Sequence, residues 1–199
     1  SSQTVEALWN AISHFPLLSV GLNCALGPEK LRPHLEELAG ISNCFVSCHP
    51  NAGLPNEMGQ YDLSPTRMAE MVGEFADNGW VNIVGGCCGT TPDHIRAIEQ
   101  RIADCSIHQP SAIEPFTRLS GTRAVTIRPD SNFTMIGERT NVTGSRRFAR
   151  LIREDNFSEA VDVARSQVLG GATVIDINMD DALLDGEAAM ARLLRLIAG

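Results

Sequence analysis

Short apolar runs alternate with helix-like stretches along most of this sequence, and that alternation limits the fold more than any other feature. The runs are Leu17–Cys24, Cys44–His49, Val81–Cys88, Phe133–Glu138 and Thr173–Asn178. Each is too short for a typical helix, is bounded by Gly, Pro or polar residues, and is rich in Val, Ile, Leu or Phe, as strands buried on both faces are. Between them, Gly27-Pro28, Ser64-Pro65 and Thr91-Pro92 each set an N-cap type of residue before a proline at the first helical position. A further helix opens at Asn156, with Glu159 in capping-box spacing, and closes at Gly170-Gly171. Val161, Ala164, Val168 and Leu169 are expected on one face of it, and another helix runs from about Gly186 towards Ala198. The alternation predicts an α/β fold of βα units around parallel strands.

The rhythm breaks at Gln109-Pro110-Ser111, Pro115 and Arg128-Pro129-Asp130, which predicts a linker or small hairpin over 109–131. Three βα units precede this break and two follow it. A closed (β/α)8 barrel needs eight units and about 250 residues, so neither side closes alone. The expectation is parts of two consecutive (β/α)8 TIM barrels, the end of one in residues 1–108 and the start of another in 132–199. The absence of an initiator Met at Ser1 and the apolar pattern still running at Leu193, Leu194, Leu196 and Ile197 fit that expectation of an internal segment.

Sixteen basic residues against twenty-four acidic ones give a net charge of −8, which argues against nucleic acid or an anionic membrane surface as partner. Arg139, Arg146, Arg147, Arg150 and Arg153 form the only local basic cluster. No apolar run approaches the roughly 18 to 20 residues of a membrane span. The start, Ser1-Ser2-Gln3-Thr4, lacks the features of a signal peptide, so a cytoplasmic protein is expected. In that setting the six cysteines predict metal binding or burial rather than a disulfide framework.

Cys24, Cys87 and Cys88 stand at the C-terminal ends of predicted strands, in Gly21-Leu22-Asn23-Cys24 and Gly85-Gly86-Cys87-Cys88-Gly89. In a barrel that is the end where chemistry is placed. One βα unit lies between the two strands, so the three thiols are expected on one rim, within reach of one ion. Three sulfurs suit a tetrahedral Zn²⁺ with its fourth position open to substrate, whereas structural zinc sites use four protein ligands in paired spacing. Spacing alone leaves buried thiols and a redox-active vicinal pair as alternatives. Cys44, Cys48 and Cys105 are expected to be packing residues. His49 and the turn Pro50-Asn51-Ala52-Gly53 are expected to line a substrate site with backbone groups.

Gly21-Leu22-Asn23-Cys24, Pro50-Asn51-Ala52-Gly53-Leu54-Pro55-Asn56 and Gly85-Gly86-Cys87-Cys88-Gly89-Thr90-Thr91-Pro92 closely resemble the end of the homocysteine-binding barrel of zinc-dependent thiol methyltransferases. Ile136-Gly137-Glu138-Arg139-Thr140-Asn141-Val142-Thr143-Gly144-Ser145 and Asp176-Ile177-Asn178-Met179-Asp180-Asp181 resemble the opening of a pterin-binding barrel. This order of motifs is that of the cobalamin-dependent methionine synthase family. The resemblance implies methyl transfer from 5-methyltetrahydrofolate through cobalamin to zinc-activated homocysteine, giving methionine and tetrahydrofolate. It implies Cys24, Cys87 and Cys88 as zinc ligands, with homocysteine sulfur in the open position. It also implies folate contacts at Gly144, Ser145 and Arg146, where a guanidinium suits the carboxylates of the folate tail. Asn51, Ala52 and Gly53 would face the amino acid, while Glu138, Asn141, Asp176 and Asn178 line the pterin pocket or satisfy loop backbone instead. No Asp-x-His-x-x-Gly cobalamin signature occurs, so a cobalamin domain elsewhere in the full-length protein is the implied partner, and these residues alone are not expected to turn over. The alternatives are a zinc-dependent homocysteine S-methyltransferase with another methyl donor, or a non-catalytic zinc-binding segment.

Overall fold

The computed structural model describes residues 3–24 and 27–198, and the chain divides into two compact units between Arg128 and Pro129. In the first unit the elements run α1 (Val5–Ile12), β1 (Ser19–Asn23), α2 (Pro28–Ile41), β2 (Phe45–His49), α3 (Pro65–Asp77), β3 (Ile83–Val84), α4 (Pro92–Ile102), β4 (Thr117–Ser120) and β5 (Ala124–Ile127). α2, α3 and α4 begin at the three expected prolines. Ser64 Oγ accepts the Arg67 N–H at 3.3 Å, and His94 Nδ1 accepts the Thr91 N–H at 3.2 Å; each satisfies a helix-start donor that has no partner inside the helix.

β1, β2 and β3 form a parallel sheet in that order, with Asn23 level with His49 and Cys48 level with Val84. Because helices return the chain between parallel strands, all three strands end on one edge. Leu31, Leu35, Val46, Cys48, Met68, Val72, Phe75 and Ile98 build the core between the helices and one sheet face. Phe45 and Ile83, on the other face, are 42% and 43% exposed. The sequence composition predicts strands covered on both sides; among the described residues only one side is covered.

The segment expected as a linker carries an antiparallel hairpin, β4–β5, docked on α1, where Ser120 Oγ donates to the Ala7 carbonyl at 2.5 Å. The hairpin groups with the first unit. α1 itself had no counterpart in the sequence expectation; Thr4 Oγ1 caps it by accepting from Ala7 N at 3.2 Å.

In the second unit β6 (Ile136–Asn141) and β7 (Val174–Asn178) pair in parallel with Asn141 level with Asn178. α5 (Arg146–Arg153), α6 (Phe157–Leu169) and α7 (Gly186–Ala198) accompany them. Phe148, Leu151, Ile152, Ala160, Val163 and Leu193 form the core. The buried face of α6 is Phe157, Ala160, Val163 and Ala164, while Val168 and Leu169, expected inward, are 56% and 81% exposed. The inward stripe starts at Phe157, and a 3.6-residue period carried from there turns Leu169 away from it. β6 begins later than expected, leaving Phe133 89% exposed before it. The architecture is α/β with parallel sheets, and among the described residues no barrel closes.

Candidate functional site

Strands two apart in a sheet lie about 10 Å from each other, so thiols after β1 and β3 meet only if both connections bend inward over the end of β2. They do. Cys24 turns immediately after β1 with φ 61, a left-handed conformation that costs a residue with a Cβ about 1–2 kcal/mol. The chain after β3 folds back on the loop that follows β2: Cys87 N donates to the Pro50 carbonyl at 2.8 Å and Ala52 N to the Cys88 carbonyl at 2.9 Å. Cys24 Sγ then lies 3.6 Å from Cys88 Sγ, Cys88 Sγ lies 3.9 Å from Cys87 Sγ, and all three sulfurs fall within 4.8 Å of one another.

Small and buried residues shape this crossing. Asn51 is 4% exposed and its Oδ1 accepts the Cys88 N–H at 3.1 Å. Ala52 is fully buried beside it, and Gly53 turns with φ +88. The expected substrate-lining turn therefore presents its amide and backbone groups to the cysteine loop. Thr90 Oγ1 donates to the Cys87 carbonyl at 2.6 Å, and a Cβ at Gly86 would lie 2.4 Å from the Thr90 methyl, so only glycine fits under that tie. His49 lies against Gly85, whose Cβ would stand 2.7 Å from the imidazole Cδ2.

Two neighbours of the cluster escaped the sequence reading. Asn23 Oδ1 lies 3.8 Å from Cys87 Sγ as its acceptor. Tyr61, the chain's single tyrosine, packs on Gly89, where a Cβ would be 2.3 Å from the tyrosine Cβ. Asn56 Oδ1 brings it there by accepting from Met58 N and Gln60 N, both at 2.9 Å, which closes the loop that pairs Pro55 with Tyr61. Burial and then the Cys88 thiol hold the tyrosine hydroxyl above its ordinary range. No spacing rule reaches from Tyr61 to Cys88; its being the lone tyrosine, in the loop after the Pro50–Gly53 turn, was the available signal.

A hydrogen bond with the Cys24 thiol, and then burial, raise the Cys87 thiol above its ordinary range. Sulfurs bound tetrahedrally at about 2.3 Å from zinc lie about 3.8 Å apart, and the separations of Cys88 Sγ from Cys24 Sγ and Cys87 Sγ, 3.6 and 3.9 Å, bracket that value. The donor set therefore fits zinc. The other cysteines take no part: Cys48 is fully buried, and burial pushes its thiol up to about 12. Cys44 is 8% exposed, and Cys105 Sγ donates to Asp77 Oδ1 at 3.2 Å. Among the described residues no disulfide forms.

In the second unit, the polar residues at the strand ends hold their own loops. Asn141 Oδ1 accepts from Thr143 N at 2.8 Å, Thr143 Oγ1 at 2.6 Å and Gly144 N at 2.9 Å. Asn178 Oδ1 accepts from Asp180 N at 2.6 Å, and Ser145 Oγ caps α5 through Phe148 N at 3.3 Å. Glu138 pairs with Arg139 at 2.9 Å, inside an irregularity of the strand pairing. Asp176 is exposed on β7 and offers its carbonyl to Thr140 Oγ1. Gly144, Ser145 and Arg146 line one cleft of 520 Å³ together with Arg139 and Arg147. Asn178 lines a different one, of 440 Å³, with Asp180 and Asp181. The expected folate contacts thus come together, whereas Glu138 and Asp176 do not join them in that cleft.

Comparison with known families gives two matches. A family model described as homocysteine S-methyltransferase matches residues 1–102. One described as pterin binding enzyme matches residues 137–199.

Proposed function

Because this chain belongs to the homocysteine S-methyltransferase family and continues into a segment that matches pterin binding enzymes, we propose that it takes part in methyl transfer from 5-methyltetrahydrofolate, through cobalamin, to homocysteine. The two barrel segments of the reading are the homocysteine side in the first unit and the methyltetrahydrofolate side in the second. The observation that carries it is the convergence of Cys24, Cys87 and Cys88 at one strand edge, inside the homocysteine S-methyltransferase match.

Cys24, Cys87 and Cys88 would hold zinc, leaving one position for the substrate sulfur. When bound, zinc supplies a Lewis acid that keeps a fourth thiol ionised near neutral pH, and cobalamin, from a domain outside these residues, supplies a carrier for the methyl group. Asn51 and Thr90 keep the Cys87-Cys88 backbone from relaxing, so the thiols hold their separation without help from substrate. In the second unit Gly144 and Ser145 offer the start of α5 to the folate, and Arg146 offers a guanidinium to its tail carboxylates. In the net reaction the methyl group leaves N5 of the folate, which gains a proton, and joins homocysteine sulfur, which has lost one. Residue placement contributes by orienting each substrate, which lowers the entropic part of the barrier.

X-ray absorption at the zinc edge tests the reading. Three sulfur neighbours should become four when homocysteine is added to the zinc-loaded protein, while the light-atom neighbour is lost. Four sulfurs before substrate, or no change after it, would make the site a closed structural one.

A further inference from the structure

His94 stands on the first turn of α4, beyond the Cys87-Cys88 pair, and is 6% exposed. A buried imidazole is costly unless both ring nitrogens find partners, and here both do. Nδ1 accepts the Thr91 N–H at 3.2 Å and lies 2.8 Å from the Thr91 hydroxyl. Nε2 lies 2.8 Å from the Leu63 carbonyl. A carbonyl only accepts, so the proton sits on Nε2, and Nδ1 is left to accept from Thr91. One neutral tautomer satisfies every contact.

The two nitrogens act over different ranges. The Nδ1 contact is local and closes the start of α4. The Nε2 contact crosses to the loop after β2, and from there hydrogen bonds run on to the metal loop: Leu63 N donates to the Ala52 carbonyl at 3.3 Å, and Ala52 N donates to the Cys88 carbonyl at 2.9 Å. The chain then returns from Cys88 through Thr91 to His94. His94 is the only side-chain link in the ring so closed. Without Nε2, the loop that carries Tyr61 against Gly89 loses this tie to α4, although the cap of the helix remains.

We propose that His94 is a positioning residue for the metal centre, acting through its Nε2–Leu63 bond to hold the Cys87-Cys88 loop at the spacing that zinc requires. The inference rests on the zinc reading of the first unit and extends it to a group that touches neither metal nor substrate. Ligands bind an ion tightly when their loop is ordered beforehand, because ordering it on binding takes its cost from the affinity.

Two substitutions separate the nitrogens. In His94→Asn the side-chain amide reaches as far as Nδ1 and can keep the cap, but falls short of Leu63. In His94→Gln it reaches as far as Nε2 and can keep the Leu63 bond, but not the cap. Zinc affinity of the protein, by chelator competition, should fall about tenfold in His94→Asn and stay within about threefold in His94→Gln, groups that orient metal ligands typically costing 10-fold or more when replaced. Without zinc, amide exchange should quicken at Ala52 and Leu63 in His94→Asn, and at Thr91 in His94→Gln. A general loss of stability would instead lower both affinities together. An equal fall in both variants, a larger fall in His94→Gln, or unchanged affinity in His94→Asn would overturn the proposal. Absence of zinc binding before any substitution would bring down the zinc reading itself, and this inference with it.

Discussion

The strand edges of the two units solve opposite problems. In the first, backbone groups hold the loops and side chains are left to converge: Cys87 N, Ala52 N and the Asn51 amide tie two loops together, and three sulfurs meet above them. In the second, side chains hold the loops: Asn141, Asn178 and Ser145 each bind backbone N–H groups beside them, while Arg146, Arg147 and Arg150 stay exposed. A metal centre needs several atoms at one point, so its loops must be fixed by something other than the ligands. A cleft for an extended organic molecule needs a rim, and a rim can be built from residues that are also its own scaffold.

The contrast breaks first at the sulfurs. Cys24→Ser in the zinc-loaded protein should lower bound metal from near one equivalent to a small fraction, measured by mass spectrometry of the dialysed protein, because two sulfurs do not retain the ion against water. Full retention in this variant would mean that Cys24 merely packs there. Arg146→Ala should leave the metal content as it was.

A subtler comparison pits the two asparagines against each other. Asn51→Ala removes the acceptor of the Cys88 N–H, and the expected result is a 10- to 100-fold loss of zinc affinity by chelator competition, as for other groups that orient metal ligands. Asn141→Ala removes three hydrogen bonds from the loop before α5 and should cost about 1–3 kcal/mol of stability, seen as faster amide exchange at 142–148, with zinc affinity unaffected. A zinc effect from Asn141→Ala would show that the units do not act independently.

The smallest effect is one of pH. Arg101 and then Cys105 hold the Asp77 carboxyl below its ordinary range, and the Leu183 N–H and then Arg153 do the same for Asp181. A carboxyl depressed in the folded state contributes stability above its unfolded pKa of about 4, and the contribution fades as the pH falls through the lower folded value. Urea midpoints should drop between pH 5 and 3, and Asp77→Asn should flatten part of that drop. A midpoint that rises on acidification would reverse the sign argued here.

How legible these features were in the sequence follows from how local their causes are. The proline-marked starts of α2, α3 and α4 were readable because a fixed φ and a capping side chain act within four residues. The capping at Asn156 was readable for the same reason, and its side chain does accept from Glu159 N at 3.3 Å. The exposed end of α6 is less legible, because the inward stripe is set by Phe157 at the helix start, which the apolar residues near its end do not reveal. α5 is masked in the sequence by its four arginines, although Phe148, Leu151 and Ile152 mark its buried side. Among the site residues, the adjacent pair Cys87-Cys88 stood out, while Tyr61 reaches the cluster only through a loop closure that no local pattern announces.

The left-handed turn at Cys24 has a consequence for anyone improving this chain. Without metal, Cys24→Gly removes a conformational penalty and should raise the melting temperature, yet the same change deletes a donor atom. Screening for robustness in the absence of zinc would thus select against the very sulfur on which the proposed chemistry depends.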